Sequence, residues 1–230
     1  MKRLSATILL LALALQPAIG GTISGTVHAE GRTDAAAEPS GGAYDSRRYK
    51  FAERINYGEF QDFVVYIEGP SITNSAGTNL VATVETHRVT QRGAMFSPHV
   101  LPIQVGTSVE WPNNDDIYHN VFSMSETRPF DLGLYVHPEV KRVVFDKPGR
   151  VDVFCSIHSR MNCIVLVLDN PWYASVNSDG HYIIRNVPAG NYRLKAWHER
   201  LPPETKEITV TETGETKVDF TLGIKNLPKL

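Results

Sequence analysis

The feature that most narrows what this chain can become is its period. Apolar and polar residues alternate in short runs, and turn signals interrupt them repeatedly. Successive side chains of a strand face opposite sides of a sheet, so alternation marks half-buried strands. An amphipathic helix would repeat its apolar residues every three or four positions, and such stretches are scarce here. "TISGTVHA" from Thr22, "DFVVYIEG" from Asp62, "SVEWPN" from Ser108, "HNVFSM" from His119, "RVVFD" from Arg142, "RVDVFC" from Arg150 and "CIVLVLD" from Cys163 each read as a strand. Pro112-Asn113-Asn114-Asp115-Asp116 and Asp146-Lys147-Pro148-Gly149 supply turns between them. Many short strands with such turns indicate an all-β sandwich.

"DNPW" at 169–172 reads as a boundary. "YASVN", "HYIIRN", "YRLKAWH", "KEITVT" and "TKVDFTL" follow as five further strands, with turns at Ser178-Asp179-Gly180 and Pro188-Ala189-Gly190. A sandwich this small buries too little surface to be robust alone, so it is expected to lean on its neighbour. Residues 30–61 carry Gly, Ala, Pro and charge without a period and read as a long loop. The expected organisation is therefore a signal segment over 1–20, a first β domain over 21–170 that includes this loop, and a second, smaller sandwich over 171–230.

The signal reading rests on "MKRLSATILLLALALQPAIG". Lys2 and Arg3 precede an apolar run from Ala6 to Leu15, and Ala18 and Gly20 have the small-residue spacing a signal peptidase accepts. The run is short for a bilayer span, and no other long apolar segment occurs. An exported, soluble protein is expected, with the periplasm as its compartment. The whole chain carries 23 basic and 25 acidic residues, a formal charge of −2. This argues against nucleic acid as the main partner.

Export leaves the two cysteines ambiguous. In an oxidising compartment, Cys155 and Cys163 would ordinarily form a disulfide. Yet "FCSIHSRMNC" at 154–163 places a thiol, an imidazole and a thioether at Cys155, His158 and Met161. Soft sulfur with imidazole suits copper better than magnesium or calcium. Two His and one Cys with a weak axial Met form a blue-copper electron-transfer site. The loop offers one His, so a second must come from elsewhere. His119, at the start of its strand after a polar turn, is the candidate. His28, His87, His181 and His198 lie in strand or turn patterns without companions, and His99 and His137 lie nearer the site elements.

Residues 99–168 resemble a cupredoxin of the plastocyanin and amicyanin group. The matching pieces are "VGTSVEWPNNDDIYHNVFS" (105–123) and "PGRVDVFCSIHSRM" (148–161). The resemblance implies a Greek-key β-sandwich, one type 1 copper ion, and His119, Cys155, His158 and Met161 as its ligands. It further implies that Asn120 ties the His119 strand to the Cys155 loop, with the Ser156 hydroxyl as partner. Many members have Pro before the loop His, where this chain has Ile157. Cys163 is an extra thiol, free to sit in the core as a small hydrophobe.

"SDGHYIIRNVPAGNYRLKAWHE" (178–199) resembles the carboxypeptidase regulatory-like family, a small transthyretin- or Ig-like β-sandwich. The match lies in Asp179-Gly180, Tyr182 and Pro188-x-Gly190-x-Tyr192. Joined to a cupredoxin, it resembles exported methylamine-utilisation-like proteins. The function implied is single-electron transfer between exported redox partners, without catalysis, since no further His-rich copper cluster is visible. A copper storage, delivery or sensing protein would use the same ligands. A metal-free, disulfide-stapled binding module would not. Arg160 beside the loop and "SRRYK" at 46–50 could steer a partner or be ordinary solvated charge.

Overall fold

The computed structural model describes residues 20–31, 56–69 and 86–223. The expected signal segment up to residue 19, residues 32–55 of the expected loop with "SRRYK", and residues 224–230 lie outside the described residues. The described residues form strands and a single short 3-10 turn at Tyr57–Glu59. The class is all-β, as the alternation required.

The strands make two sandwiches. In the first, β3 (Thr86–Arg88), β7 (Ser108–Pro112) and β10 (Val140–Val144) form a sheet in the order β10-β7-β3. Against it packs a second sheet of β6 (Val100–Gln104), β8 (His119–Ser123), β9 (Phe130–Tyr135), β11 (Gly149–Phe154) and β12 (Asn162–Leu168), ordered β6-β12-β11-β8-β9. A hairpin of β4 (Thr90–Arg92) and β5 (Met95–Ser97) closes one end. Val109, Trp111, Val121, Phe145, Val151, Val153, Val165 and Val167 fill the core between the sheets. Pro102 is tolerated because β6 is an edge strand, where a missing N–H need not break the ladder.

The second sandwich joins a sheet ordered β13-β2-β15-β16 to one centred on β1. The strands of the former are β2 (Val64–Ile67), β13 (Tyr173–Ser175), β15 (Gly190–His198) and β16 (Leu201–Val210). β1 (Gly21–Glu30) pairs antiparallel with β14 (His181–Val187), and parallel with β17 (Glu215–Lys217) and β18 (Phe220–Gly223). The close approach at this centre needs a glycine, because a Cβ on Gly25 would lie 1.8 Å from the Val218 carbonyl oxygen.

These pairings depart from the expected boundary. The sequence reading puts 21–67 in the first domain, but β1 and β2 hydrogen-bond into the sheets of the second. Ile23, Val27, Phe63, Val65 and Ile67 share one core with Trp172, Tyr182, Leu194, Phe220 and Leu222. Alternation reveals that a segment is a strand and which face is buried. It says nothing of a partner far away in the chain, and β1 finds its parallel partners at the opposite end.

The sandwiches meet along β12. Its odd-numbered side chains Cys163, Val165 and Val167 enter the first core. Its even-numbered side chains Ile164, Leu166 and Leu168 form a separate cluster with Val64 and Val100, against which Tyr66, Tyr173 and Trp197 pack. This explains why "CIVLVL" is unbroken by polar residues: both faces of the strand are covered. His99 Nε2 meets Glu199 Oε1 at 3.2 Å and Arg150 lies over the Trp197 ring across the same boundary.

Candidate metal centre

The site begins with a stapled turn. Asn113 is buried, and its side-chain amide donates to the carbonyls of Ile117 (2.9 Å) and Tyr135 (3.0 Å). Its Oδ1 accepts the Asp115 N–H at 2.9 Å. These bonds explain why an Asn-Asn-Asp-Asp run makes a fixed turn here, since short amide side chains substitute for backbone partners. The turn delivers His119 at the start of β8, opposite Tyr135 of β9, with no exposed surface.

The second half of the site is the loop joining β11 to β12. These strands are antiparallel neighbours, so the ends of the loop lie side by side. Cys155 N–H donates to the Met161 carbonyl at 3.1 Å, and Met161 N–H donates to the His158 carbonyl at 2.9 Å. The loop is thus closed by its own backbone. Cys155 and Met161 are buried at the rim of the first core, and His158 is half-buried.

The two pieces converge. One ligand-capable atom from each of His119, Cys155 and His158 lies within 4.8 Å of the other two. His119 Nδ1 is 3.1 Å from His158 Nδ1, and Cys155 Sγ is 3.7 Å from His158 Nδ1. Nitrogen and sulfur donors bind a metal at roughly 2.0–2.3 Å, which puts neighbouring donors about 3–4 Å apart. The spacing therefore fits one ion, and two imidazoles with a thiolate suit copper. Among the described residues this is the single such group of three His, Cys, Asp or Glu side chains. Met161 lies beside it by its backbone bonds to Cys155 and His158.

Asn120 links strand and loop by a different route from the one expected. Its backbone N–H donates to Cys155 Sγ at 3.4 Å. Its side-chain amide donates to Asp131 Oδ1 at 2.8 Å, and Ser156 is exposed. The Gly133 N–H and then this Asn120 amide hold the Asp131 carboxyl below its ordinary range. The tie thus runs through the main chain to the sulfur itself, and the Asn120 amide bonds Asp131 rather than the Ser156 hydroxyl.

A residue read only as part of a turn proves to belong to the site. Asp115 Oδ2 lies 2.8 Å from His119 Nε2. Burial alone would raise its carboxyl, but the Ala94 and Gly93 N–H groups and His119 outweigh burial and bring it down to about 2. The available signal was its position four residues before His119.

Cys155 and Cys163 are both free thiols. Cys163 faces Val153 across the β11–β12 ladder and packs in the first core. Burial pushes its thiol well above the ordinary range, so it stays protonated and behaves as a small apolar side chain. In the segments that carry His119 and His158, Ile117, Tyr118 and Ile157 are each at least half exposed. Arg160 is exposed. The other histidines stand apart: His137 Nδ1 meets the Asn113 carbonyl, and His198 packs between Phe60 and Phe63.

Comparison with known proteins falls into two parts. The model of the carboxypeptidase regulatory-like domain matches residues 164–223. Solved structures to which the chain is similar include a novel purple cupredoxin from Nitrosopumilus maritimus. There the identity is 27%, covering 35% of this chain and 98% of that one, with a TM-score of 0.32. A Cu(I) amicyanin variant shows 21% identity over 45% of this chain and 97% of its own, with a TM-score of 0.34. A copper-containing nitrite reductase from Thermus scotoductus SA-01 shows 31% identity over 42% of this chain, with a TM-score of 0.35; the chain spans only 25% of that protein. No curated protein matches. The family match thus covers residues 164–223 alone, and the chemistry assigned to the chain rests on its own side chains.

Proposed function

We propose that this protein is an exported blue-copper electron carrier. His119 Nδ1, Cys155 Sγ and His158 Nδ1 would hold one copper ion, with the Met161 thioether as a fourth, weaker donor. The observation that carries this reading is the convergence of those three donor atoms within 4.8 Å, from a strand start and a backbone-closed loop. Bound there, copper would accept and release one electron between Cu(II) and Cu(I).

The chain's own part is to hold the donors still. The Asn113 turn fixes His119, the loop bonds fix His158 against Met161, and the Asn120 N–H stabilises negative charge on Cys155 Sγ. Donors that do not move between oxidation states spare the site a costly rearrangement. The buried His119 and Cys155 exclude water, while His158 is half-buried and Ile117, Tyr118 and Ile157, in the segments that carry the two His, are exposed. That apolar rim is where a redox partner would dock, with His158 as the exit for the electron. Arg160 at its edge would favour an acidic partner. No helix among the described residues is long and apolar enough to cross a membrane. With the expected leader, the periplasm is the proposed compartment.

The test is to reconstitute the reduced protein with Cu(II) and record its visible spectrum. The expected result is an intense thiolate-to-copper band that vanishes on reduction. A colourless protein whose two cysteines are linked when isolated would end the reading in favour of a stapled binding module. Rapid loss of copper to a chelator would favour delivery or storage over electron transfer.

A further inference from the structure

Asp115 is held by four partners. Its Oδ1 accepts the Gly93 N–H at 2.8 Å, and its Oδ2 accepts the Ala94 N–H at 3.0 Å. Its Oδ2 also meets His119 Nε2 at 2.8 Å, and its own N–H is tied to Asn113 Oδ1. Gly93 and Ala94 form the tip of the β4–β5 hairpin and both adopt left-handed backbone, at φ 61° and 54°. Successive residues of this kind can turn their N–H groups toward one point and make a small concave seat for an anion. The left-handed region is costly for an alanine, so something on the spot must offset it. The Asp115 carboxylate occupies that seat.

The consequence for His119 follows from donors and acceptors. A carboxylate can only accept, so the ring must carry its proton on Nε2. In the neutral ring Nδ1 is then without a proton, and it lies 3.1 Å from His158 Nδ1. The 3.1 Å contact between the two Nδ1 atoms is satisfied if His158 donates and His119 accepts, which makes one consistent tautomer assignment for the pair.

We propose that Asp115 is a positioning residue for the metal: seated on the hairpin tip, it fixes His119 as the Nε2–H tautomer, presents Nδ1 as a ready ligand, and places a negative charge that favours the more highly charged oxidation state. This rests on the copper reading above, and it joins the β4–β5 hairpin to the site, although the hairpin contributes no ligand. Replacing such an outer partner typically costs a metal site tenfold or more.

Two measurements test it. The first uses the metal-free protein at mildly alkaline pH, where imidazole is neutral. Nitrogen chemical shifts of His119 should show the proton on Nε2 in the wild type and a mixture of tautomers in Asp115→Ala. A wild-type proton on Nδ1 would overturn the proposal, whether or not copper binds. The second compares Asp115→Asn with Asp116→Asn, which removes the same charge from the exposed neighbour. With copper added, Asp115→Asn should lose about tenfold in Cu(II) affinity relative to Cu(I), which raises a one-electron potential by about 59 mV. A shift no larger than that of Asp116→Asn would show a general charge effect and sink the claim of a direct contact. Should the wild type bind no copper, the electron-transfer reading fails, and the tautomer measurement still decides the role of Asp115.

Discussion

Removing β1 and β2 should unfold the second sandwich, although the family match to that sandwich starts only at residue 164. β1 and the β2 segment contribute Ile23, Val27, Phe63, Val65 and Ile67 to its core, each no more than 4% exposed. Burying such a side chain is worth about 1.5–3 kcal/mol, so the five together contribute roughly 7–15 kcal/mol. A whole domain is stable by only about 5–15 kcal/mol. The loss is also topological, because β14, β17 and β18 belong to one sheet through β1. The assay is thermal unfolding by circular dichroism, with amide dispersion by NMR, on a fragment of residues 164–223. The expected outcome is no cooperative transition and collapsed dispersion. Residues 86–170 should behave oppositely, since their core takes nothing from β1 or β2. A cooperative transition in the 164–223 fragment would show that the N-terminal strands decorate that sandwich rather than complete it, and the energetic argument would be wrong.

Met161→Leu should keep copper and the fold, costing under about 1.5 kcal/mol as a volume-conserving swap, while raising the reduction potential. An unchanged potential by voltammetry would remove Met161 from the ligand set. Cys155→Ser should abolish the visible band with copper added yet keep the metal-free protein folded by circular dichroism, because the hydroxyl still accepts the Asn120 N–H. Glu110 should govern part of the acid limb of stability. Side-chain bonds from Arg88 and then Arg142 hold its carboxyl below the ordinary 4.5. A depressed folded-state value means the contribution is complete above about pH 4.5 and is lost as the pH falls through the folded value. Denaturant titrations of Glu110→Gln should therefore show a flatter acid limb than wild type, with the difference gone at the lowest pH.

What was legible in the sequence was whatever depends on local order. Alternation marks β7, β8, β11 and β12 because each has a polar-to-apolar contrast or a long apolar run. β9 was missed: "FDLGLY" carries a glycine, and Leu134, where alternation calls for a buried residue, is exposed. β3, β4 and β5 have three residues each, too few to establish a period. β6 was hidden by Pro102. The grouping of His119 with Cys155 and His158 was legible because the latter two share one loop and His119 heads a strand. Asp115 was not, since its role depends on a hairpin tip more than twenty residues earlier in the chain. The domain boundary failed for the same reason: strand partners are chosen by the fold, not by neighbours in sequence.

The absence of a proline before His158 bears on how this site stays rigid. Ile157 leaves the loop's φ angles free, which would ordinarily loosen the donors. Three bonds compensate. The Cys155 N–H to Met161 and Met161 N–H to His158 bonds close the loop on itself, and the Asn120 N–H pins the sulfur to β8. Each involves backbone, so none depends on the identity of residue 157. The position is then available for another use, and Ile157 lies on the surface, 52% exposed. A proline there would stiffen a loop already closed and remove apolar area from the rim. Ile157 thus adds apolar surface next to half-buried His158 where a proline would add only rigidity that the loop's own bonds already supply.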